Sequence, residues 1–273
     1  MKILAIKDDT ITKNFILGYL FYYENQKSGY IELSDEAGEW DLPIVLEHFA
    51  RNHQRSVTSY WTMRWVQQRI VPPDRQNISQ ILKECGLAEY NEFELLIHSD
   101  GRCAQDECYV EKITQQDVPQ AIIDRRHHNI TECVLNEDKG IFVTLENDDV
   151  LMLQYDQVKK NFEFIDRMLA YASRLTDMKV VAGGSSISWG EKNEISRDYV
   201  LEVGQKLPIS ASALRQFAAK QIVSTTEVME MLDCTRQNVN DLVKRGKLDP
   251  LDIHAKTKLF YRKDVIRYQN ERQ

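Results

Sequence analysis

Apolar and polar positions change period several times along this chain, and each change marks an element. Phe15 to Tyr23 and Gly29 to Leu33 are apolar, aromatic runs around Glu24-Asn25-Gln26-Lys27-Ser28, a pattern that predicts a β-hairpin. Helical spacing follows near Pro43 to Arg51 and near Ser59 to Arg69, where Trp61, Trp65, Val66 and Ile70 fall on one side as candidate core. Pro72-Pro73 stops that helix. Asp74 is placed to cap a third, which runs to Gly86 as its C-cap. Tyr90 to His98 predicts a short amphipathic helix and Ser99-Asp100-Gly101 a turn. Pro119 to His128, ending in Arg125-Arg126-His127-His128, has the composition of a linker with a solvated charge run.

The middle of the chain, from about Cys133 to Pro208, predicts a small α+β unit. Gly140 to Leu145 and Val150 to Tyr155 form a hairpin around Asn147-Asp148-Asp149. A helix near Gln157 to Leu175 follows, with Phe162, Ile165, Leu169 and Ala172 inward. A second hairpin, Lys179 to Trp189, turns on Gly183-Gly184-Ser185-Ser186. Ile187-Ser188-Trp189, Glu194-Ile195-Ser196 and a short helix Arg197 to Glu202 close the unit. Gly183-Gly184 is a poor phosphate loop, because it sits between strands with no helix or Lys after it.

The sharpest pattern lies between Val223 and Tyr268. Ser224-Thr225-Thr226-Glu227 has the capping-box form, a hydroxyl for an early backbone N–H and a Glu three residues on that reaches back. Val228, Met231 and Leu232 then share a helical face, and Asp233-Cys234-Thr235 breaks the run with two good N-cap types. In the next helix Val239, Leu242 and Val243 point inward. Arg236, Gln237, Asn238, Asn240 and Lys244 point outward, and Gly246 is placed for a left-handed C-cap. Beyond it Leu251-Asp252-Ile253, a polar loop from His254 to Lys258, and Leu259-Phe260-Tyr261 predict a hairpin before a last helix from about Arg262.

Composition narrows the function classes. With 273 residues, 42% hydrophobic and 28% charged, the chain is long enough for two or three ordinary globular domains. The formal charge of -7 argues against a protein that coats nucleic acid over its whole surface. That charge is unevenly shared: Val223 to Gln273 carries 10 Lys+Arg against 8 Asp+Glu, leaving 25 against 34 elsewhere. The five cysteines, Cys85, Cys103, Cys108, Cys133 and Cys234, are odd in number and lack C-x-x-C spacing, so neither a disulfide framework nor a zinc site is expected. A reducing, cytoplasmic setting follows. The N-terminus turns acidic too early for a signal peptide, and no run approaches the ~20 apolar residues of a membrane span. No nucleophile, base and orienter can be assembled, so the chain is expected to be neither an enzyme nor the holder of a cofactor or metal.

The order helix, short turn, polar-faced helix, hairpin, helix resembles the winged helix-turn-helix of the MerR and phage excisionase type. It covers roughly Ile222 to Gln269 and rests on T-T-E-V-x-x-M-L-x-C-T-R-Q-N-V, the K-R-G end and the F-Y-R-K-D-V-I restart. The resemblance implies that the second helix enters the major groove while the wing lies along the backbone. Thr235, Arg236, Gln237, Asn238 and Asn240 would then face bases, and Lys244, Lys256, Lys258 and Arg262 would meet phosphates. The residue types suit those roles, since Arg grips guanine and Asn or Gln adenine with paired hydrogen bonds, whereas Lys serves phosphate as a point charge. The strings R-I-V-P-P-D-R-Q-N-I and G-R-C-A-Q-D-E-C-Y resemble bacterial proteins of unknown function that end in the same motif. The middle unit is similar to a small bacterial domain family, also of unknown function.

An internal echo leaves two readings. Arg75-Gln76-Asn77-Ile78-Ser79-Gln80-Ile81-Leu82-Lys83 matches Arg236 to Lys244 with every apolar position kept apolar. Either a second reader of DNA precedes Gly86, or two amphipathic helices share a polar start; the prolines at 72 and 73 lengthen the turn and favour the second.

The sequence therefore predicts an α+β, multidomain chain: α+β domains at residues 1–118 and 129–208 and a winged helix-turn-helix at 209–273. The expected function is sequence-specific binding of double-stranded DNA as a homodimeric transcriptional regulator. The alternative is a non-DNA adaptor or antitoxin-like partner that uses the same module for protein docking.

Overall fold

The computed structural model describes residues 1–136, 140–165, 178–190, 192–252 and 257–271. It is an α+β protein whose contacts gather into two compact units, Met1–Leu207 and Pro208–Gln273. Of the regions read from the sequence, 1–118 and all of 129–208 but its last residue fall in the first unit. No helix among the described residues is long and apolar enough to cross a membrane.

The first unit is built on five antiparallel strands, β1 (Lys2–Asp8), β2 (Phe15–Tyr23), β3 (Ser28–Leu33), β4 (Ser56–Val57) and β5 (Tyr109–Ile113), in the order β4-β3-β2-β1-β5. The expected first hairpin is β2 and β3. Its strands read as nearly unbroken apolar runs because the sheet is covered on both faces. Leu4, Ile6, Leu20, Tyr22, Ile31 and Leu33 pack with Leu46 and Phe49 of helix α1 (Ile44–Arg51), Trp65 and Val66 of α2 (Ser59–Gln67), and Phe93 and Leu96 of α4 (Glu92–His98). Ile3, Tyr19, Phe21 and Tyr30, on the other face, meet Val118 and Ile122 of the segment leading into and through α5 (Gln120–Arg126). Strict alternation would put Leu17 with Tyr19, yet it joins the cluster of Leu20. A bulge between Ile6 and Lys7 skips Leu17 in the register, pairing Ile6 with Gly18 and Lys7 with Ile16, and so turns Leu17 to the helix-covered face.

Several expectations change here. Residues 119–128 are no linker: α5 occupies most of them, buries Ile122 and sits on the sheet. Nor are Arg125 and Arg126 of the basic tetrad solvated, although His127 is exposed. Arg125 donates to Glu32, Asp35 and the Leu33 carbonyl, and Arg126 donates to the hydroxyls of Tyr30 and Tyr23. Trp61 is 43% exposed rather than core: Ser59, Thr62, Trp65 and Val66 form the buried face of α2, and the Trp61 ring stands edge-on to Phe49 and Tyr60 beside it. The third helix, α3, spans Ile78–Glu84. Asp74 does not cap it; Asn77 stands at the N-cap position without a side-chain cap bond, while Gly86 takes the expected left-handed conformation at φ 69°.

The remainder of the first unit holds a sheet of order β12-β8-β7-β6, from β6 (Ile130–Leu135), β7 (Ile141–Leu145), β8 (Val150–Leu153) and β12 (Gln205–Lys206). A second sheet, β11-β10-β9, comes from β9 (Lys179–Val181), β10 (Ser186–Ser188) and β11 (Glu194–Ser196). Both expected hairpins are present. Strand β6 has no clear sequence signal, because Ile130–Leu135 carries exposed Thr131 and Glu132 and lacks clean alternation. Helix α6 spans Tyr155–Asn161 and ends where Phe162 turns extended, at φ -134°. Leu169 and Ala172, expected to point inward, lie outside the described residues. Helix α7 (Arg197–Val203) agrees with the sequence reading and is capped by the Ser196 hydroxyl, which accepts from the Tyr199 amide. Val143, Leu153, Ile187, Ile195 and Val200 centre this part of the core. Gly184, at φ 85°, lies so close to Ile130 that a Cβ would collide with its carbonyl, so Gly183-Gly184 serves packing and not phosphate.

The second unit runs α8 (Ala211–Gln221), β13 (Ile222–Ser224), α9 (Thr225–Leu232), α10 (Arg236–Lys244), β14 (Leu259–Tyr261) and α11 (Arg262–Glu271). Val223, Val228, Leu232, Val239, Leu248, Phe260 and Val265 form its core.

Candidate nucleic-acid interface

The local chemistry of the second unit follows the sequence closely. The Ser224 hydroxyl accepts from the Glu227 amide at 3.3 Å, and the Glu227 carboxylate accepts from the Ser224 amide at 2.7 Å, completing the capping box that starts α9. Glu227 is held below the usual carboxylate range, first by that amide and then by the Ser224 hydroxyl. Asp233 ends α9 in the left-handed conformation, at φ 46°. The Cys234 amide reaches back to the Met229 carbonyl at 3.0 Å, so the chain reverses within three residues. Thr235 opens α10, its hydroxyl accepting from the Asn238 amide at 3.3 Å. Gly246, at φ 64°, closes that helix.

Helix α10 is sided as its spacing predicts. Val239 is fully buried and Leu242 and Val243 pack against the core, while Thr235, Arg236, Gln237 and Asn238 are exposed. The side chains of Arg236 and Gln237 make no hydrogen bond or ion pair among the described residues. One exposed turn therefore presents a guanidinium and two amide groups with a helix N-terminus beneath them. That is a donor-rich surface suited to base edges and phosphate oxygens.

The other expected contacts divide. Asn240 is half-buried and accepts from the Lys258 ammonium at 3.4 Å, so the residue before β14 is drawn beside α10. The Thr225 hydroxyl also holds the Lys258 carbonyl at 3.1 Å. Lys244 is exposed and stands 4.0 Å from Asp241, a loose pair one turn back. Arg262 is half-buried: its Nε donates to the Lys220 carbonyl at the end of α8, and its charge lies near Glu227. Lys256 lies outside the described residues. Arg245 and Lys247, exposed directly after α10, are not among the expected contacts, although Arg245 belongs to the K-R-G end that carries the resemblance.

Strand β14 has a partner beyond the expected hairpin: Leu259–Tyr261 pairs along its length with Ile222–Ser224, the strand before α9. Of the expected first arm, the Leu251 amide donates to the Leu259 carbonyl and Pro250 bridges Phe260 antiparallel, while Ile253 to Lys256 lie outside the described residues. The Ile222–Ser224 strand is three residues long and shares Ser224 with the capping box, so its sequence signal is lost in the helix start.

The echo at Arg75 separates from α10 here. Arg236-Gln237-Asn238 form the first turn of a helix, whereas Arg75-Gln76-Asn77 precede α3, and the Arg75 Nε donates to its own neighbour Asn77 at 2.9 Å. The same tripeptide has a different geometry and a different partner.

Among the described residues no cluster of three or more His, Cys, Asp or Glu side chains could hold a metal ion. Burial pushes the Cys108 thiol up to about 12 and the Cys133 thiol up to about 11, which leaves both poor nucleophiles at neutral pH. Asp106, in the polar string after Arg102, is the counter-ion of buried Arg69 at 2.5 Å. The chain matches no protein family, no curated protein and no solved structure.

Proposed function

We propose that this chain is a sequence-specific binder of double-stranded DNA that acts as a transcriptional regulator, with α10 as the reading helix. The observation that carries this reading is the exposed, unengaged Arg236-Gln237 pair beside Asn238 on the first turn of a helix whose opposite face is locked into the core by Val239. A helix anchored on one side and donor-rich on the other fits the width of the major groove. The arrangement of α9, turn, α10 and short sheet is similar to a winged helix-turn-helix. Lys244, Arg245 and Lys247 supply exposed cations where the backbone would pass. Lys258 and Arg262 would meet phosphate with the donors left after Asn240 and the Lys220 carbonyl.

Selection of bound duplexes from a random DNA pool, followed by titration of the enriched site across salt concentrations, tests the proposal. An enriched sequence whose affinity falls linearly on a log–log plot with salt supports it, through counterion release. A pool that stays random, with no duplex binding at low salt, overturns it in favour of protein docking by the same module.

A further inference from the structure

The first unit contains a feature unrelated to the proposed DNA surface. A cleft of about 470 Å³ lies among Tyr60, Met63 and Arg64 of α2 and Ser188, Lys192 and Glu194 of the β10–β11 region. Tyr60, Lys192 and Glu194 also line a second cleft of about 160 Å³, whose other walls include Phe49, Trp61 and Phe162. The first lies within the range of small-molecule pockets, roughly 300–1,000 Å³. The second slightly exceeds the ~150 Å³ of an apolar cavity that accommodates one benzene ring.

Glu194 stands where the two clefts meet. Its carboxylate accepts from the Tyr60 amide at 3.3 Å, and no ammonium or guanidinium of a described residue comes within ion-pair distance. Arg64, which lines the same cleft, is turned to Tyr60, its guanidinium 5.3 Å from the ring centre and its Nε 3.3 Å from the hydroxyl. Burial raises the pKa of Glu194 above the usual carboxylate range, against the opposing pull of Thr58 and the Tyr60 amide. A partly desolvated carboxylate with only neutral donors gains most from a cation. Beside it, Trp61 and Phe49 meet edge-on at 6.4 Å, and Trp61 keeps much of its ring open. Aromatic walls next to an anion suit a flat cation.

We infer that this double cleft is a binding site for a small organic cation with a planar apolar body, an aryl-alkylamine or arylamidine, whose charged group pairs with Glu194 and whose ring enters the smaller cleft beside Trp61. Lys192, exposed beside both clefts, opposes a cation only through solvent, whereas the more buried Glu194 meets it inside the cleft.

Calorimetric titration of the full chain with tyramine, benzylamine and benzamidine tests this, with 4-ethylphenol and 3-(4-hydroxyphenyl)propanoate as neutral and anionic counterparts. At least one of the three cations binds at millimolar concentration or below, and the two counterparts bind at least about tenfold more weakly. E194Q, which keeps the shape and the amide partner, loses about tenfold in affinity for the cation with an unchanged melting curve. Should E194Q fail to fold, W61A at the exposed rim serves instead and loses affinity to a similar degree. Absence of binding by all three cations, equal binding by wild type and variant, or preference for the propanoate overturns the assignment.

Discussion

Arg197 and Glu32 stand 165 positions apart in the chain, yet the Arg197 Nη1 donates to the Glu32 Oε1 at 2.6 Å, with both side chains essentially shut off from solvent. The pair joins α7 to the penultimate residue of β3. Asn129 accepts from the same Nη1 at 2.7 Å, Asp198 accepts from Nη2 at 2.9 Å, and Arg125 reaches the far oxygen of Glu32 at 3.3 Å. Asp198 in turn accepts from the backbone amides of Arg55 and Ser56 at 2.7 and 2.8 Å. A carboxylate in the apolar layer of a sheet is costly unless paired, so this network ties residues 1–118 to residues 129–207 through polar chemistry.

Removal of one member follows directly. E32Q leaves the Arg197 charge buried without its main counter-ion and should destabilise the first unit by about 3–5 kcal/mol. The double variant E32L/R197M removes both charges and should cost less than E32Q, because Arg125 keeps Asp35 and Asp198 keeps its two amides. Urea unfolding of all three proteins provides the measurement. A double variant that is the least stable of the set would show that the pair contributes beyond mutual compensation.

Base reading by α10 makes a differential prediction. R236A should lose about 1–3 kcal/mol on the enriched site and far less on random duplex. Fluorescence anisotropy with both DNAs decides it, and equal losses would mean that Arg236 only positions the backbone.

One copy of the second unit neutralises few phosphates, so tight specific binding should need two copies on half-sites about one helical turn apart. Sedimentation of the protein–DNA complex gives the stoichiometry. A single copy saturating one isolated half-site at the affinity of the full site would refute the homodimeric arrangement.

For Arg75 and Asn77 the expected outcome is no effect on DNA. Their mutual hydrogen bond before α3 leaves neither in the first turn of a helix, unlike Arg236 and Asn238. R75A/N77A should keep both the affinity and the salt slope of wild type in the same titration. A flatter slope would reveal lost phosphate contacts.

The cap of α9 should respond to pH in a stated direction. The folded-state pKa of Glu227 is lowered by the Ser224 amide and hydroxyl, so its contribution is present above the unfolded carboxylate pKa and fades as pH falls through the folded value. Amide exchange in the first turn of α9 should be faster in E227Q than in wild type at neutral pH, and the two should converge in acid. S224A, which removes the cap acceptor itself, should cost about 1 kcal/mol and persist at both ends of the range.

Where a sequence signal is local, the chain could be read directly. The capping box at Ser224 and Glu227, the Thr235 cap, the left-handed glycines 86 and 246 and the alternation that buries Val239 under an exposed Arg236 all depend on neighbours within four residues, and the structure agrees. The α+β class and the hairpin of β2 and β3 were legible for the same reason. What the sequence could not contain was the identity of distant partners. Arg125-Arg126 has the composition of a solvated tract, and only the sheet beneath α5, with Glu32 and Tyr30 on it, turns both side chains inward. Arg262 has the character of a phosphate contact, but that the Lys220 carbonyl accepts from its Nε is visible only in the fold. Arg75-Gln76-Asn77 and Arg236-Gln237-Asn238 are identical as text; the start of the helix, set after Pro72-Pro73 in one and by Thr235 in the other, makes them different objects. Side-chain type and spacing determined which groups were available, and tertiary structure decided which of them remained free, because a charged group is committed by whatever partner desolvates it.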